Sequence, residues 1–377
     1  MSLGNGSLRL LMVVTRYFPY MGGIETHVYE VSRRLAAYGI QVTVLSTDPS
    51  RKLPRQESIQ GVNVLRVPAW PAQRDYYFAP ELYRTIRAGS WDLMHCQGYH
   101  TLAPPLAMLA AWRARLPYVL TFHGGGHSSL LRNAMRRSQI ALLRPLLVRT
   151  RRLVAVAKFE IEFYGRQLGL SPDHFALIPN GADLPLTPPA EEPVKPTGPL
   201  IASVGRLERY KGHQRVLAAL PQVLAQCPEA RLRIVGSGPY EPTLQQMARE
   251  LGVAEKVEIG GIPPTDRAGM VSLMQKAALV ALLSEYETHP IAILEALALR
   301  RPVLVADNSG MRELAERGLA RAIPLTSTSD QVAAAMLEQL RQPLIPPMLR
   351  LPTWDDCVRD LVKLYHTLLW SARPCAF

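Results

Sequence analysis

Apolar positions in this chain follow two spacings that alternate. Continuous apolar runs such as LRLLMVVT and QVTVLST are followed by stretches whose apolar residues recur every three or four positions, such as IETHVYEVSRRLAAYG, which stops at Gly39. A continuous run reads as a strand buried on both faces, and the second spacing, closed by glycine, reads as a helix. The alternation continues through VNVLRVP, WDLMHC, LPYVLTFHG, RRLVAVA and HFALIPNG. Repeated strand, helix, strand units with apolar strands predict a parallel sheet covered on both sides.

The segment after Gly181, ADLPLTPPAEEPVKPTGP, is proline-rich and carries little periodicity. It reads as a linker over 184–199, which closes an amino-terminal domain of residues 1–183. A second series follows: LIASVGR as a strand, HQRVLAALPQVLAQ as a helix, ARLRIVGSGP as a strand with a glycine turn, TLQQMARELG as a helix, then strands KVEIGG and ALVALLSE. A helix from about Pro290 to Leu299, the strand PVLVAD and helices to the carboxyl terminus complete a domain of 200–353 and a terminal helix of 354–377. The expected fold is α/β, two doubly wound domains with the carboxyl ends of both sheets facing a cleft, the usual ligand site of such sheets.

Composition narrows the chemistry. At 377 residues with 48% hydrophobic content, the chain can build two ordinary cores. Its 43 Lys and Arg outnumber 31 Asp and Glu, a formal +12 that favours anionic partners: nucleic acid, acidic lipid or phosphorylated small molecules. Cys96, Cys227, Cys357 and Cys375 are scattered without a C-x-x-C pair, which fits a reducing compartment. No segment approaches the ~18 uninterrupted apolar residues of a membrane span, so a cytoplasmic protein is expected. The chain has no D-x-D pair and no cluster of His and Asp, so metal dependence is not expected.

Several residues stand where chemistry is done. Gly22 and Gly23, between the first strand and its helix, form a turn that permits close backbone approach, and the helix start beyond them offers N–H groups to an anion. A tight connection is the equal alternative, since the full G-x-G-x-x-G fingerprint is missing. Arg206 and Lys211 follow LIASVGR at a strand's carboxyl end; a guanidinium fork and an ammonium point charge are complementary ways to neutralise a diphosphate, although such pairs also occur on solvated loops. His123 closes YVLTFH before three glycines, a place for a hydrogen bond to substrate or a proton relay.

In SEYETHPIAILEALALRRPVLVAD, proline suits a first helical turn, which puts Glu287 in the loop before a helix and Glu295 more than a turn inside it. With the free N–H groups of Ile291 and Ala292, two carboxylates at different heights suit a ligand with hydroxyls at two ends and phosphates between. Residues 130–152, LLRNAMRRSQIALLRPLLVRTRR, mix leucines with arginines and read as a helix pair, one side in the core and the other solvated. An anionic membrane surface is the alternative partner, because arginine stems lie along lipid while their heads meet phosphate. Without interleaved aromatics or a known module, nucleic acid is not expected.

Taken in order and spacing, PYMGGIETHVYEVSRRLAAYGIQVTVLS, TFHGG, IPNGAD, GRLERYKG, VGSGP and ETHPIAILE followed by ALALRRPVLVAD resemble the retaining GT-B glycosyltransferases of family four, also called group 1 glycosyltransferases. The resemblance covers most of the chain. It implies two Rossmann-like domains, with the C-terminal helix crossing back to the N-terminal one. It also implies transfer of a hexose or N-acetylhexosamine from a nucleoside diphosphate sugar, UDP or GDP, to a glycan, lipid-linked or small-molecule acceptor. The linkage would be α, with no cofactor and no metal.

By position, Gly22 and Gly23 resemble the loop near the donor diphosphate, and His123 the histidine beside the transferred sugar. Asn180 and Gly205, within the matching IPNGAD and GRLERYKG, join the donor-binding set with Ile291 and Ala292. Arg206 and Lys211 match the diphosphate cations, Glu287 the carboxylate on the sugar hydroxyls and Glu295 that on the ribose. Gly236, Gly261 and Ile262 match positions near the nucleobase. The family has no agreed covalent nucleophile, which implies front-face substitution with the leaving phosphate taking the acceptor's proton. His289 and Pro290 depart from the aromatic residue and glycine of many members, and a proline offers no backbone N–H. A GT-B phosphorylase or nucleotide-sugar epimerase, and a silent sugar-nucleotide or membrane-binding module, are the alternatives. The full set of Arg206, Lys211, Glu287 and Glu295 favours transfer.

Overall fold

The first apolar run becomes strand β1 (Arg9–Val13), whose last four residues are fully buried. The computed structural model describes residues 7–20, 22–72, 77–124, 130–182, 198–263, 266–346 and 350–370. Most of the expected linker, His127 and Cys375 lie outside the described residues. The chain divides into two units. Met1–Gly124, Ala134–Asn180 and Thr353–Phe377 make the first, and Gly125–Asn133 with Gly181–Pro352 the second.

After β1, the first unit contains α1 (Gly23–Ala37), β2 (Gln41–Asp48), β3 (Gln56–Ile59), β4 (Val62–Pro68), α2 (Pro80–Ala88), β5 (Leu93–Gln97) and α3 (Ala103–Arg113). Then come β6 (Tyr118–Thr121), α4 (Leu130–Leu147, in this unit from Ala134), β7 (Arg152–Ala155), α5 (Lys158–Leu168) and β8 (Phe175–Leu177). The sheet order is β3-β4-β2-β1-β5-β6-β7-β8. Every pairing is parallel except β3 with β4. The sequence reading omits β3, because QESI carries one apolar residue and lies half-exposed at the edge. It also expects a helix pair over 130–152, where the chain forms one helix and then β7. Phe122 and Tyr164 stack in the core at 3.6 Å between centroids, and each buried side chain of this size contributes about 1.5–3 kcal/mol.

The second unit contains β9 (Leu200–Val204), α6 (His213–Gln226), β10 (Arg231–Val235), α7 (Glu241–Glu250), β11 (Val257–Gly260), α8 (Arg267–Lys276) and β12 (Ala277–Leu282). It continues with α9 (Ile291–Ala298), β13 (Val303–Ala306), α10 (Ser309–Glu316), β14 (Arg321–Ile323) and α11 (Ser329–Arg341). Its sheet, β11-β10-β9-β12-β13-β14, is parallel throughout. Counted from β9, that order is 3-2-1-4-5-6, the Rossmann arrangement. The sequence reading places only helices after PVLVAD and so misses β14, three half-buried residues too short for a periodic signal. Helix α12 (Trp354–Trp370) packs on α1 in the first unit, tied by Arg34 Nε to Asp355 at 2.9 Å and by His95 Nδ1 to the Tyr365 hydroxyl at 2.6 Å.

Candidate functional site

In the second unit, β10 and β11 lie on one side of β9 and β12 to β14 on the other. Loops leaving two strands at such a reversal open a crevice at their carboxyl ends. Gly205, Arg206 and Lys211 follow β9, and Glu287 follows β12. Lys211 and Glu287 meet directly, Nζ to Oε1 at 2.6 Å, with both side chains largely buried. The same carboxylate oxygen lies 2.9 Å from the Ser284 hydroxyl, the Glu287 N–H donates to Ser309 Oγ at 2.9 Å, and its carbonyl accepts from the Gly310 N–H at 2.9 Å. Burial acts to lower the Lys211 pKa, but attraction to Glu287 and to the Tyr210 phenol, with the hydrogen bond, outweighs it and raises the value. The ammonium therefore stays charged, and of its three N–H donors Glu287 takes one.

This meeting depends on Gly212. It sits at φ +77°, and a Cβ there would stand 1.9 Å from the Leu283 carbonyl oxygen at the end of β12. Only glycine lets the Lys211 loop come so close. Arg206 points elsewhere: Nη2 donates to the Tyr210 hydroxyl at 2.9 Å and Nη1 lies 3.2 Å from Glu208. The two cations do not touch, but both contact Tyr210, whose ring centroid lies 5.4 Å from Lys211 Nζ. Behind them, buried His213 has Nε2 3.2 Å from the Arg206 carbonyl oxygen and Nδ1 2.8 Å from the Ser203 hydroxyl. A carbonyl only accepts, so Nε2 carries the hydrogen and Nδ1 accepts from Ser203. Burial holds this histidine's pKa down to about 4, which keeps it neutral.

The neighbouring loops pack backbone to backbone. A Cβ on Gly236 would stand 1.9 Å from the Gly205 carbonyl oxygen, and Gly261 and Ile262 follow β11 beside it. Glu295, buried in α9, is paired with Arg267 of α8. The carbonyl of Pro290, the cap of α9, accepts from the N–H groups of Ile293 and Leu294 at 3.0 and 3.1 Å. The proline thus costs the helix no interior donor, and the first-turn N–H groups of Ile291 and Ala292 have no partner among the described residues. Glu287 and Glu295 are held by different partners and are not joined.

In the first unit, Gly22 is the extended cap of α1, and a Cβ on it would stand 2.7 Å from Glu25 Oε2, whereas Gly23 faces open space. Asn180, His27, His123 and Gln97 form a buried chain. His27 Nδ1 lies 2.9 Å from Asn180 Oδ1, the His27 and His123 ring centroids are 4.6 Å apart, and His123 Nε2 lies 2.7 Å from Gln97 Oε1. Amide oxygens accept, so His27 carries its hydrogen on Nδ1 and His123 on Nε2. Burial, with the neighbouring histidines, holds His123 well below the ordinary 6.5, and burial takes His27 down to about 4. His123 adopts φ +44°, and the N–H of the next residue, Gly124, donates to buried Glu160 at 3.2 Å. Sequence reasoning misses Tyr210, His213, Arg267, His27, Gln97 and Glu160. His27 alone leaves a signal, as a polar residue on the buried face of an amphipathic helix.

Residues 21–185 match the family model described as Glycosyltransferase Family 4, and residues 188–349 match that described as Glycosyl transferases group 1. The chain belongs to the group 1 glycosyltransferases, with the GT-B fold. It is 27% identical to a D-inositol 3-phosphate glycosyltransferase of Nocardiopsis dassonvillei, across 92% of this chain and 89% of that one. To a phosphatidyl-myo-inositol mannosyltransferase of Mycolicibacterium smegmatis it is 28% identical, across 96% and 94%. Its fold matches that of Anabaena Alr3699/HepE in complex with UDP and glucose at a TM-score of 0.75, with 18% identity over 96% and 100% of the two chains.

Proposed function

We propose that this glycosyltransferase moves a hexose or N-acetylhexosamine from UDP or GDP to an acceptor hydroxyl, with retention and without a metal. The observation that carries the reading is the charged Lys211, fixed on Glu287 where the second sheet reverses, with Arg206 on the same loop. Lys211 has N–H donors beyond the one that Glu287 takes, and Arg206 brings a second full charge. Together they neutralise the charge that grows on a departing diphosphate, the task a metal performs elsewhere. Glu287 then accepts from sugar hydroxyls, Glu295 from the ribose, and the N–H groups of Ile291 and Ala292 meet phosphate oxygens. Gly22, Gly23, Asn180, Gly205, Gly236, Gly261 and Ile262 complete the donor contacts through close backbone approach or hydrogen bonds.

The bond from the anomeric carbon to the diphosphate oxygen breaks as the acceptor oxygen bonds to the same face. The acceptor's proton passes to the leaving phosphate. His123 hydrogen-bonds the transferred sugar and, held neutral, adds no charge. A glycan or lipid-linked acceptor fits the relatives' names, one of which is a phosphatidyl-myo-inositol mannosyltransferase. We further propose that the enzyme acts in the cytoplasm with peripheral membrane contact; among the described residues no helix is long and apolar enough to cross a membrane.

A thermal-shift titration with UDP, GDP and ADP tests the donor. One nucleotide should raise the midpoint, by about 2.7 kcal/mol of added stability at one hundred times its Kd, and Arg206→Ala should weaken that response. No response to any of the three removes the donor assignment.

A further inference from the structure

A second basic site lies in the first unit, at the opposite end of the strands from His123. Tyr118 begins β6 and Arg152 begins β7, so the turns before them are at the amino ends, whereas His123 follows the carboxyl end of β6. Arg113, which ends α3, and Arg115 beyond it, with Arg149 and Arg151 after α4, surround a cavity of about 560 Å³ walled by Trp112, Leu116, Pro117 and Tyr118. Among the described residues none that lines it is acidic. Trp112 is 42% exposed, and the guanidinium carbons of Arg149 and Arg113 lie 4.9 and 5.5 Å from its ring centroid. The buried Tyr118 donates its hydroxyl to the Leu146 carbonyl at 2.6 Å, which ties the floor of the cavity to α4. Four like charges around a concavity repel one another, and a phosphate-bearing anion relieves the strain through charge-assisted hydrogen bonds.

Helix α4 supplies an apolar counterpart. Met135, Ser138, Leu142 and Pro145 recur at helical spacing and form one outward, mainly apolar stripe, and Arg149 follows just past the end of α4. Met135 is 56% exposed and Leu142 79%. Ile140 and Leu147, on the other face, are buried, and Arg137 and Arg144 are exposed beside the stripe. An apolar stripe flanked by arginines that leads into an arginine basin has the chemistry of a helix lying in a headgroup layer.

We propose that this face docks on anionic phospholipid bilayers, with headgroup phosphates in the basin of Arg113, Arg115, Arg149 and Arg151, and Leu142 and Met135 at the acyl boundary. The assignment rests on the membrane contact proposed above and gives it a surface. With four arginines and no acidic residue among its described lining, the basin is committed to anionic lipid over zwitterionic.

Sedimentation of the full chain with vesicles of phosphatidylcholine alone, or with phosphatidylglycerol added, decides the matter. Binding to the anionic vesicles only is expected, with release at ~1 M salt, where screening falls to about 3 Å. Combined Arg113→Gln, Arg115→Gln, Arg149→Gln and Arg151→Gln should weaken binding at least about tenfold, and Leu142→Gln should weaken it too. Both variants should keep the wild-type melt and nucleotide response, since every substituted residue is exposed and outside the donor loops. Equal binding to both vesicle types, no binding, or full binding by the arginine variant overturns the proposal. So does a dimer that Leu142→Gln dissociates in the absence of vesicle binding, which assigns the face to a second copy. If the unaltered chain binds no vesicle while its nucleotide response is intact, this proposal alone falls and the transferase reading stands.

Discussion

Lys211 and Glu287 hold each other at 2.6 Å in largely buried surroundings, so removing either leaves the other without its counter-charge. Lys211→Ala should lower kcat at least about a hundredfold and cost up to about 3 kcal/mol of stability. Steady-state transfer assays beside a thermal melt check both, and wild-type turnover would take the pair out of the site. Tyr210→Phe keeps the ring under the ammonium but removes the anchor of the Arg206 guanidinium. The donor KM should rise several-fold while the melt stays near wild type; an unchanged KM would show that Arg206 needs no such anchor. Arg206, Lys211, Glu287 and His123 were legible as candidates in the sequence because each lies in a loop that follows a strand-like run, where such sheets bind ligands. Their supports were not. Arg267 reaches Glu295 across 28 residues and Glu160 reaches Gly124 across 36, and only the folded chain makes those pairs.

At the scale of elements, backbone approach sets where the loops go, and two glycines separate that effect from mere conformation. Gly212 and Gly252 both have positive φ, +77° and +69°, but a Cβ on Gly212 meets the Leu283 carbonyl oxygen at 1.9 Å while one on Gly252 meets nothing within 4 Å. Gly252→Ala should cost about 1–2 kcal/mol, the price of left-handed backbone. Gly212→Ala should cost distinctly more and reduce transfer, because the Lys211 loop must move off β12. Equal losses in urea unfolding would mean that the loop yields freely. The same scale shows what pattern reading resolves. HQRVLAALPQVLAQ was legible to the residue as α6, since Val216, Leu217, Leu220 and Val223 recur on one face, whereas β3 and β14 were invisible because edge strands of three or four half-buried residues have no run to read. Parallel pairing followed from the apolar runs, but strand order did not, since order is fixed by helix packing that no single segment records.

Across the whole molecule, buried neutral histidines set the response to acid. Burial lowers His27 and His213 to about 4 and His95 and His289 to about 3, with the neighbouring His27 adding to the effect for His95 and the positive charges of Lys211 and Arg317 adding to it for His213 and His289, and it also lowers His123. The first unit carries three of them and the second two. Above pH 6.5 neither folded nor unfolded chain is protonated at these sites, and their full contribution is present. As pH falls through 6.5 toward 4 the unfolded chain takes up protons that the folded one refuses, so stability falls, by up to about 1.4 kcal/mol per pH unit for each histidine. Asp92, hydrogen-bonded and paired to Arg9, has its pKa lowered, so its contribution is lost only at still lower pH. Thermal midpoints should therefore be level from pH 8 to 7 and drop steeply from 6.5 to 4.5. His95→Gln should flatten that drop whatever it does to the midpoint at pH 7, because the readout is a slope. Since the Lys211 pKa is raised, the cation proposed to act in transfer keeps its charge throughout, and transfer should fail in acid together with the fold and not before it. A level melting curve down to pH 5 would mean that these histidines take up protons in the folded chain as readily as in the unfolded one.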